Sequence, residues 1–91
     1  MSDAVRHNKA QRRFEMDVGG DIAVANYALA SGVMTFTHTE VPAALQGRGI
    51  GSRLVRGALD AARAEGVKVV PHCSFVAAYL NRHPEFNDLV R

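Results

Sequence analysis

The stretch from Val33 to Val70, "VMTFTHTEVPAALQGRGIGSRLVRGALDAARAEGVKVV", constrains the fold more than any other part of the chain. Its opening residues are largely β-branched and alternate, with Met34, Phe36 and His38 on one side and Val33, Thr35, Thr37 and Thr39 on the other, the period of a strand. Pro42 removes a backbone donor and ends that strand. From near Ile50 the apolar residues Ile50, Leu54, Ala58 and Ala61, flanked by Val55, Leu59 and Ala62, recur at helical spacing, while Arg53, Arg56, Asp60 and Arg63 point away. Gly66 stops the helix. The segment "VKVVP" is short and rich in valine, so it reads as a strand, and one reached through a helix runs parallel to the strand before it. The stretch is a βαβ unit.

Upstream, "RRFEMDV" sets Phe14, Met16 and Val18 against Arg13, Glu15 and Asp17, the alternation of a half-buried strand. Gly19-Gly20-Asp21 is a turn, "IAVANYAL" a second strand, and Ser31-Gly32 a second turn, so three strands form an antiparallel meander. Downstream, Ser74 can cap a second helix to about Arg82, with Phe75, Ala78 and Tyr79 along one side, and His83-Pro84 closes it. The tail "EFNDLVR" is either a short edge strand or a docked coil. The fold class is therefore mixed α/β (α+β): an antiparallel meander, a βαβ unit and a C-terminal helix. The 91 residues make one domain spanning 1–91, with residues 1–11 expected to be a flexible arm.

Composition narrows the class of partner. Apolar residues make up 47% and charged residues 22%, the balance of an ordinary globular domain. No apolar run is long enough to cross a bilayer, and "MSDAVRHNKAQRR" lacks the apolar core of a signal peptide, so a cytoplasmic protein without membrane contact is expected. The single cysteine, Cys73, excludes an internal disulfide, and scattered histidines give no zinc pattern, so no metal is expected. A net charge of +2, no Trp and two Tyr argue against a nucleic-acid binder. Compact anionic ligands remain open.

Such a ligand is what "QGRGIGS" suggests. A strand, a glycine-rich turn and a helix N-terminus bring free N–H groups and the positive end of the helix dipole together, and absent side chains let phosphate oxygens approach. Simple tight turns also use glycine. A P-loop would need a Lys-Ser/Thr pair after the last glycine, but Ser52 follows Gly51 directly, and Gly47, Gly49 and Gly51 miss the register of the dinucleotide fingerprint.

The stretch "VPAALQGRGIGSRLVRGALDAARAEGVKVV" resembles the acetyl-coenzyme A binding core of the GCN5-related N-acetyltransferase superfamily, whose signature Gln/Arg-x-x-Gly-x-Gly/Ala matches Gln46, Gly49 and Gly51. With "PHCSFVAAYLNRHPEF" it is similar to the short, single-domain branch of that superfamily, over about residues 12 to 87. The resemblance implies acetyl-CoA as cofactor, an amine acceptor and acetyl transfer between them. It further implies that Gln46, Gly47, Arg48, Gly49, Ile50, Gly51 and Ser52 hold the pyrophosphate, and that Glu40 and Val41 lie beside the pantetheine arm between two splayed strands. Asn81 and Arg82 are further candidates for cofactor contact, or a solvated helix end. A coenzyme A or acyl-CoA binding module without turnover is the alternative from a different class.

Acetyl transfer to an amine needs a polarised carbonyl and a protonated leaving thiolate. A backbone N–H near Val41 serves the first. For proton transfer the candidates are His38, Glu40, Cys73 and Tyr79. His38 shares the side of Met34 and Phe36, so it is either a core histidine or a base, and Glu40 is equally a solvated strand end. Cys73 precedes a helix start, where the dipole favours thiolate; it is either a buried small hydrophobe or a functional thiol. In the short branch that the chain resembles, a cysteine here is the suspected catalytic group, as proton donor or as transient acetyl carrier. Many family members use a tyrosine in this last helix instead, but "YLNRHPEF" lacks their Tyr-x-x-x-Gly-Phe ending, which leaves the register of Tyr79 open. Typical members also have two helices where this chain has only Gly19-Gly20-Asp21. The acceptor side is therefore expected to be open, to suit a protein or polyamine or to be completed by a second subunit in a homodimer.

Overall fold

The computed structural model describes residues 5–91. Five strands form one sheet in sequence order: β1 (Val5–Asn8), β2 (Arg13–Val18), β3 (Asp21–Ala30), β4 (Val33–Glu40) and β5 (Lys68–Pro71). The first four pair antiparallel and β5 runs parallel to β4. Helix α1 (Ile50–Glu65) makes the crossover, and α2 (Ser74–Arg82) follows β5. No helix among the described residues is long and apolar enough to cross a membrane.

Alternation builds one core. Phe14 and Met16 of β2, Ala23, Ala25 and Tyr27 of β3, and Met34 and Phe36 of β4 are all buried and share a cluster with α1, α2 and the C-terminal segment. Helix α1 contributes Ile50, Leu54, Val55, Ala58, Leu59 and Ala62, and complete burial of each larger aliphatic side chain is worth about 2 kcal/mol. Gly66 ends α1 in the left-handed region, its amide donating to the Ala62 and Arg63 carbonyls.

The N-terminal segment departs from the expected flexible arm, because Val5–Asn8 is an edge strand. The expectation for residues 1–4 lies outside the described residues. Two contacts outside the strand hold β1. Val5 sits over Gly57, where a β-carbon would come within 2.6 Å of its Cγ2. On the other side of the sheet the buried Glu15 carboxylate accepts hydrogen bonds from Arg6 Nε (2.9 Å), Asn8 Nδ2 (3.0 Å) and Arg13 Nε (2.5 Å). The bonds from Arg13 and Asn8 outweigh burial and hold this carboxyl below the ordinary glutamate value. Four residues with one aliphatic side chain are too few for a periodic signal.

Strand β4 does not keep its expected phase. Tyr27 pairs with Phe36 but Asn26 pairs with His38, so Thr37 is an extra residue, and a bulge of this kind turns the residues beyond it to the opposite face. His38 is consequently exposed, not on the core side with Met34 and Phe36, while Thr39 turns inward.

In α2 the inward stripe is Val76, Tyr79 and Leu80; Phe75 and Ala78, expected on that side with Tyr79, are exposed. The cap is Cys73, and Ser74 is already the first helical residue. After His83, Pro84–Leu89 forms a 3-10 turn that buries Phe86 and Leu89, and Val90 makes one parallel bridge to Val69. The tail thus combines the docked segment and the edge contact that the sequence left as alternatives.

Candidate active site

The parallel register of β4 and β5 runs from Val33↔Lys68 to Phe36↔Pro71, and the Cys73 amide still donates to the Phe36 carbonyl at 2.9 Å. Past that point α2 turns off, while β4 continues to Glu40. At this divergence lies a cavity of about 460 Å³ lined by Thr39 and Val41 of the β4 end, Gln46, Gly47, Gly49, Ile50, Gly51 and Ser52 of the loop and helix start, and Phe75.

The three glycines of the loop serve two purposes. Gly47 and Gly49 have φ of 82° and 72°, a region L-residues with a β-carbon enter at a cost of about 1–2 kcal/mol, and a β-carbon on either would meet nothing within 4 Å. They set the backbone and leave open space beside it. Gly51 has ordinary helical geometry, but a β-carbon there would lie 2.6 Å from Phe75 Cζ. It lets the two helices approach. The Gln46 side-chain amide donates to the Val41 carbonyl at 3.2 Å and ties the loop to the strand end.

The start of α1 has no side-chain cap and no acidic residue in its first turn. Its leading N–H groups, with the positive end of the helix dipole, therefore face the cavity mouth without a capping side chain among the described residues. A carboxylate placed there would occupy the position an anion needs. Arg48 is exposed in the loop between the two left-handed glycines.

Cys73 is buried beside this cavity. Its Sγ lies 3.3 Å from Thr39 Oγ1, and Thr39 lines the cavity. Burial alone would push the thiol up; hydrogen bonds from the Thr39 hydroxyl and from the Val76, Phe75 and Thr39 amides outweigh it and hold the thiol below the ordinary cysteine value.

The other expected residues lie elsewhere. His38 and Glu40 are exposed and face one another, Nε2 to Oε2 at 3.6 Å. Tyr79 is buried, stacks on His83 with ring centroids 4.0 Å apart, and does not line the cavity. Asn81 lines a separate groove with Pro71, Ala77, Leu80, Asn87 and Val90, and Arg82 is exposed at the end of α2. Thr39 and Phe75 were not among the sequence candidates. The alternation assigned Thr39 to the wrong side of β4, and the helical spacing assigned Phe75 to the core. The one available signal for Phe75 was the helical Gly51, which marks a close approach without saying to what.

A five-stranded sheet with one helical crossover, whose last parallel pair diverges over a glycine loop with a buried thiol at the fork, is a mixed α/β architecture with its cavity at the helix start. Residues 13–89 match the family model described as GCN5-related N-acetyl-transferase, and the chain belongs to that family. Among curated relatives it is 34% identical over 83 residues to Protein NATD1 of Mus musculus, an alignment covering 88% of this chain and 76% of the relative. Protein NATD1 of Homo sapiens is also 34% identical over 83 residues, with 74% of its length covered. Among solved structures, a GCN5-like protein from Staphylococcus aureus superposes with a TM-score of 0.75 at 23% identity, over 100% of this chain and 91% of that one. The shared fold is the GCN5-related N-acetyltransferase fold.

Proposed function

We propose that the protein transfers an acetyl group from acetyl-CoA to an amine, with the cavity at the β4–α1 junction as the cofactor site. The observation that carries this reading is the uncapped, carboxylate-free start of α1, opening on a cavity that leads to Thr39 and Cys73. These residues fit a coenzyme A diphosphate by their own chemistry: unpaired main-chain donors, two left-handed glycines with open space beside them, and no competing negative charge.

Bound acetyl-CoA supplies the activated acyl group and a thiolate leaving group. The amides at the start of α1 hold the diphosphate, and Gln46 fixes the loop against Val41 so that they converge. The end of β4, beyond its pairing with β5, offers main-chain N–H to the acyl carbonyl. With the thioester bound, a neutral acceptor amine would form the new C–N bond as the C–S bond breaks. Cys73 would give its proton to the departing sulfur and be reprotonated by the proton the amine loses. A thiol held below its ordinary pKa is a stronger donor for that step, and Thr39 keeps it oriented.

Calorimetric titration with coenzyme A tests the site, and release of free thiol from acetyl-CoA with a panel of amines tests the reaction. Saturable binding plus amine-dependent thiol release is the expected result. Absence of binding removes the site assignment; binding with no thiol release for small amines, polyamines or lysine-containing peptides leaves a coenzyme A binding module.

A further inference from the structure

A second cavity, of about 200 Å³, is bounded by His7, Lys9, Arg12, Tyr27, Leu29 and Glu65. Glu65 is the last residue of a 16-residue helix whose first residue, Ile50, borders the glycine-loop cavity, so the two sites lie roughly 22 Å apart along the axis. They share no residue.

A relay fixes the inner wall of this cavity. His7 stacks on Phe14 with centroids 4.1 Å apart, its Nδ1 lies 3.3 Å from Glu65 Oε2, and its Nε2 lies 2.5 Å from the Tyr27 hydroxyl. In the tautomer that carries its proton on Nδ1, the nitrogen facing the carboxylate, Nε2 accepts and the Tyr27 hydroxyl donates. With its proton engaged, the phenol oxygen presents only lone pairs to the cavity. Burial, reinforced by the Glu65 charge, holds Tyr27 above the ordinary phenol value and keeps it neutral.

The outer wall is cationic. Lys9 Nζ lies 3.6 Å from Glu65 Oε2, the same oxygen that faces His7. The Arg12 guanidinium has no hydrogen bond or ion pair among the described residues. Its backbone sits at φ 53°, with the Arg12 N–H donating to the Lys9 carbonyl (3.2 Å) and the Tyr27 N–H donating to the Arg12 carbonyl (3.0 Å). Lys9 and Arg12 against Glu65 leave one positive charge in excess. The cavity therefore combines a planar cation unpaired among the described residues with acceptors, the Tyr27 oxygen and the unshared Glu65 oxygen, that need donors.

We propose that this cavity binds a small carboxylate bearing an adjacent hydroxyl or ammonium group, the chemistry of an α-hydroxy or α-amino acid. Arg12 takes the carboxylate in its two-pronged geometry, Lys9 adds charge, and the neighbouring donor meets the Tyr27 oxygen. The cavity operates independently of the glycine loop.

Amide chemical shifts of the labelled full chain, followed during titration with L-lactate, L-alanine and propionate against chloride at matched ionic strength, test this directly. L-lactate and L-alanine should give saturable shifts at residues 8–12, 27 and 65 and none at 46–52, with propionate at least fivefold weaker. Arg12→Asn, which suits a left-handed backbone, should weaken lactate at least tenfold, and Tyr27→Phe should erase the lactate–propionate difference. Shifts no larger than those with chloride overturn the proposal. So do equal affinities for lactate and propionate, or unchanged lactate affinity in Arg12→Asn.

Discussion

The two ends of α1 carry the same kind of left-handed glycine, Gly49 at φ 72° before the helix and Gly66 at φ 73° after it, yet they are finished in opposite ways. At the C-terminal end the Gly66 amide closes on the Ala62 and Arg63 carbonyls, Val67 N–H adds a second bond to Ala62, and Arg63 and Lys68 reach the Glu85 and Asp88 carbonyls. At the N-terminal end no side chain caps the helix and no acid complements its dipole. One terminus satisfies its polar groups within the protein and contributes stability. The other leaves them directed at a cavity, the arrangement expected of a ligand site.

Substitutions at the two ends should accordingly separate binding from stability. The largest effect is expected from Gly49→Glu, which places a carboxylate in the anion position and should weaken coenzyme A roughly a hundredfold or more, about 2.8 kcal/mol. Gly49→Asn, tolerant of the same backbone, should keep most of the affinity in the same titration, and equal loss in both would mean that strain rather than charge is responsible. Next, Cys73→Ala should slow amine-dependent thiol release by roughly tenfold or more while leaving coenzyme A affinity intact. As the proton donor, Cys73 must be protonated, so turnover should decline as pH rises through its lowered pKa. That alkaline decline should be absent in Cys73→Ala; a wild-type rate that climbs across the same range instead points to an acetyl-carrying thiolate.

A smaller effect is expected where the two helices touch. Gly51→Ala would push against the Phe75 ring and should weaken coenzyme A by roughly fivefold, the scale of mild overpacking. The double variant Gly51→Ala/Phe75→Ala should recover it if ring displacement is the cause. The least functional effect belongs to the closed end. Gly66→Ala should cost about 1 kcal/mol in denaturant unfolding with unchanged coenzyme A affinity, and a binding defect there would break the contrast between the termini.

Within β4, three residues show where sequence reasoning stops. Met34 and Phe36 follow strict alternation into the core, but Thr37 has no partner of its own on β3, and from there Thr39 rather than His38 faces inward. A bulge adds one residue without altering the β-branched character of the strand, so the pattern of residues carries no mark of it. Phe75 is similar: its helix was legible, but not which stripe turns toward α1, because that depends on Gly51 in another element. Strand β1 depends on Glu15 of the neighbouring strand and on Gly57, far along the chain.

By itself the sequence determined the meander, the crossover helix with its stop at Gly66, the parallel strand after it and the glycine-rich turn, because each rests on the periodicity or φ requirements of adjacent residues. Only the tertiary structure decided that Thr39 meets Cys73, that Phe75 walls the cavity and that His7, Tyr27 and Glu65 form a second cluster. Those groupings join residues from separate elements, and the register and packing that bring them together are set by contacts no single segment contains.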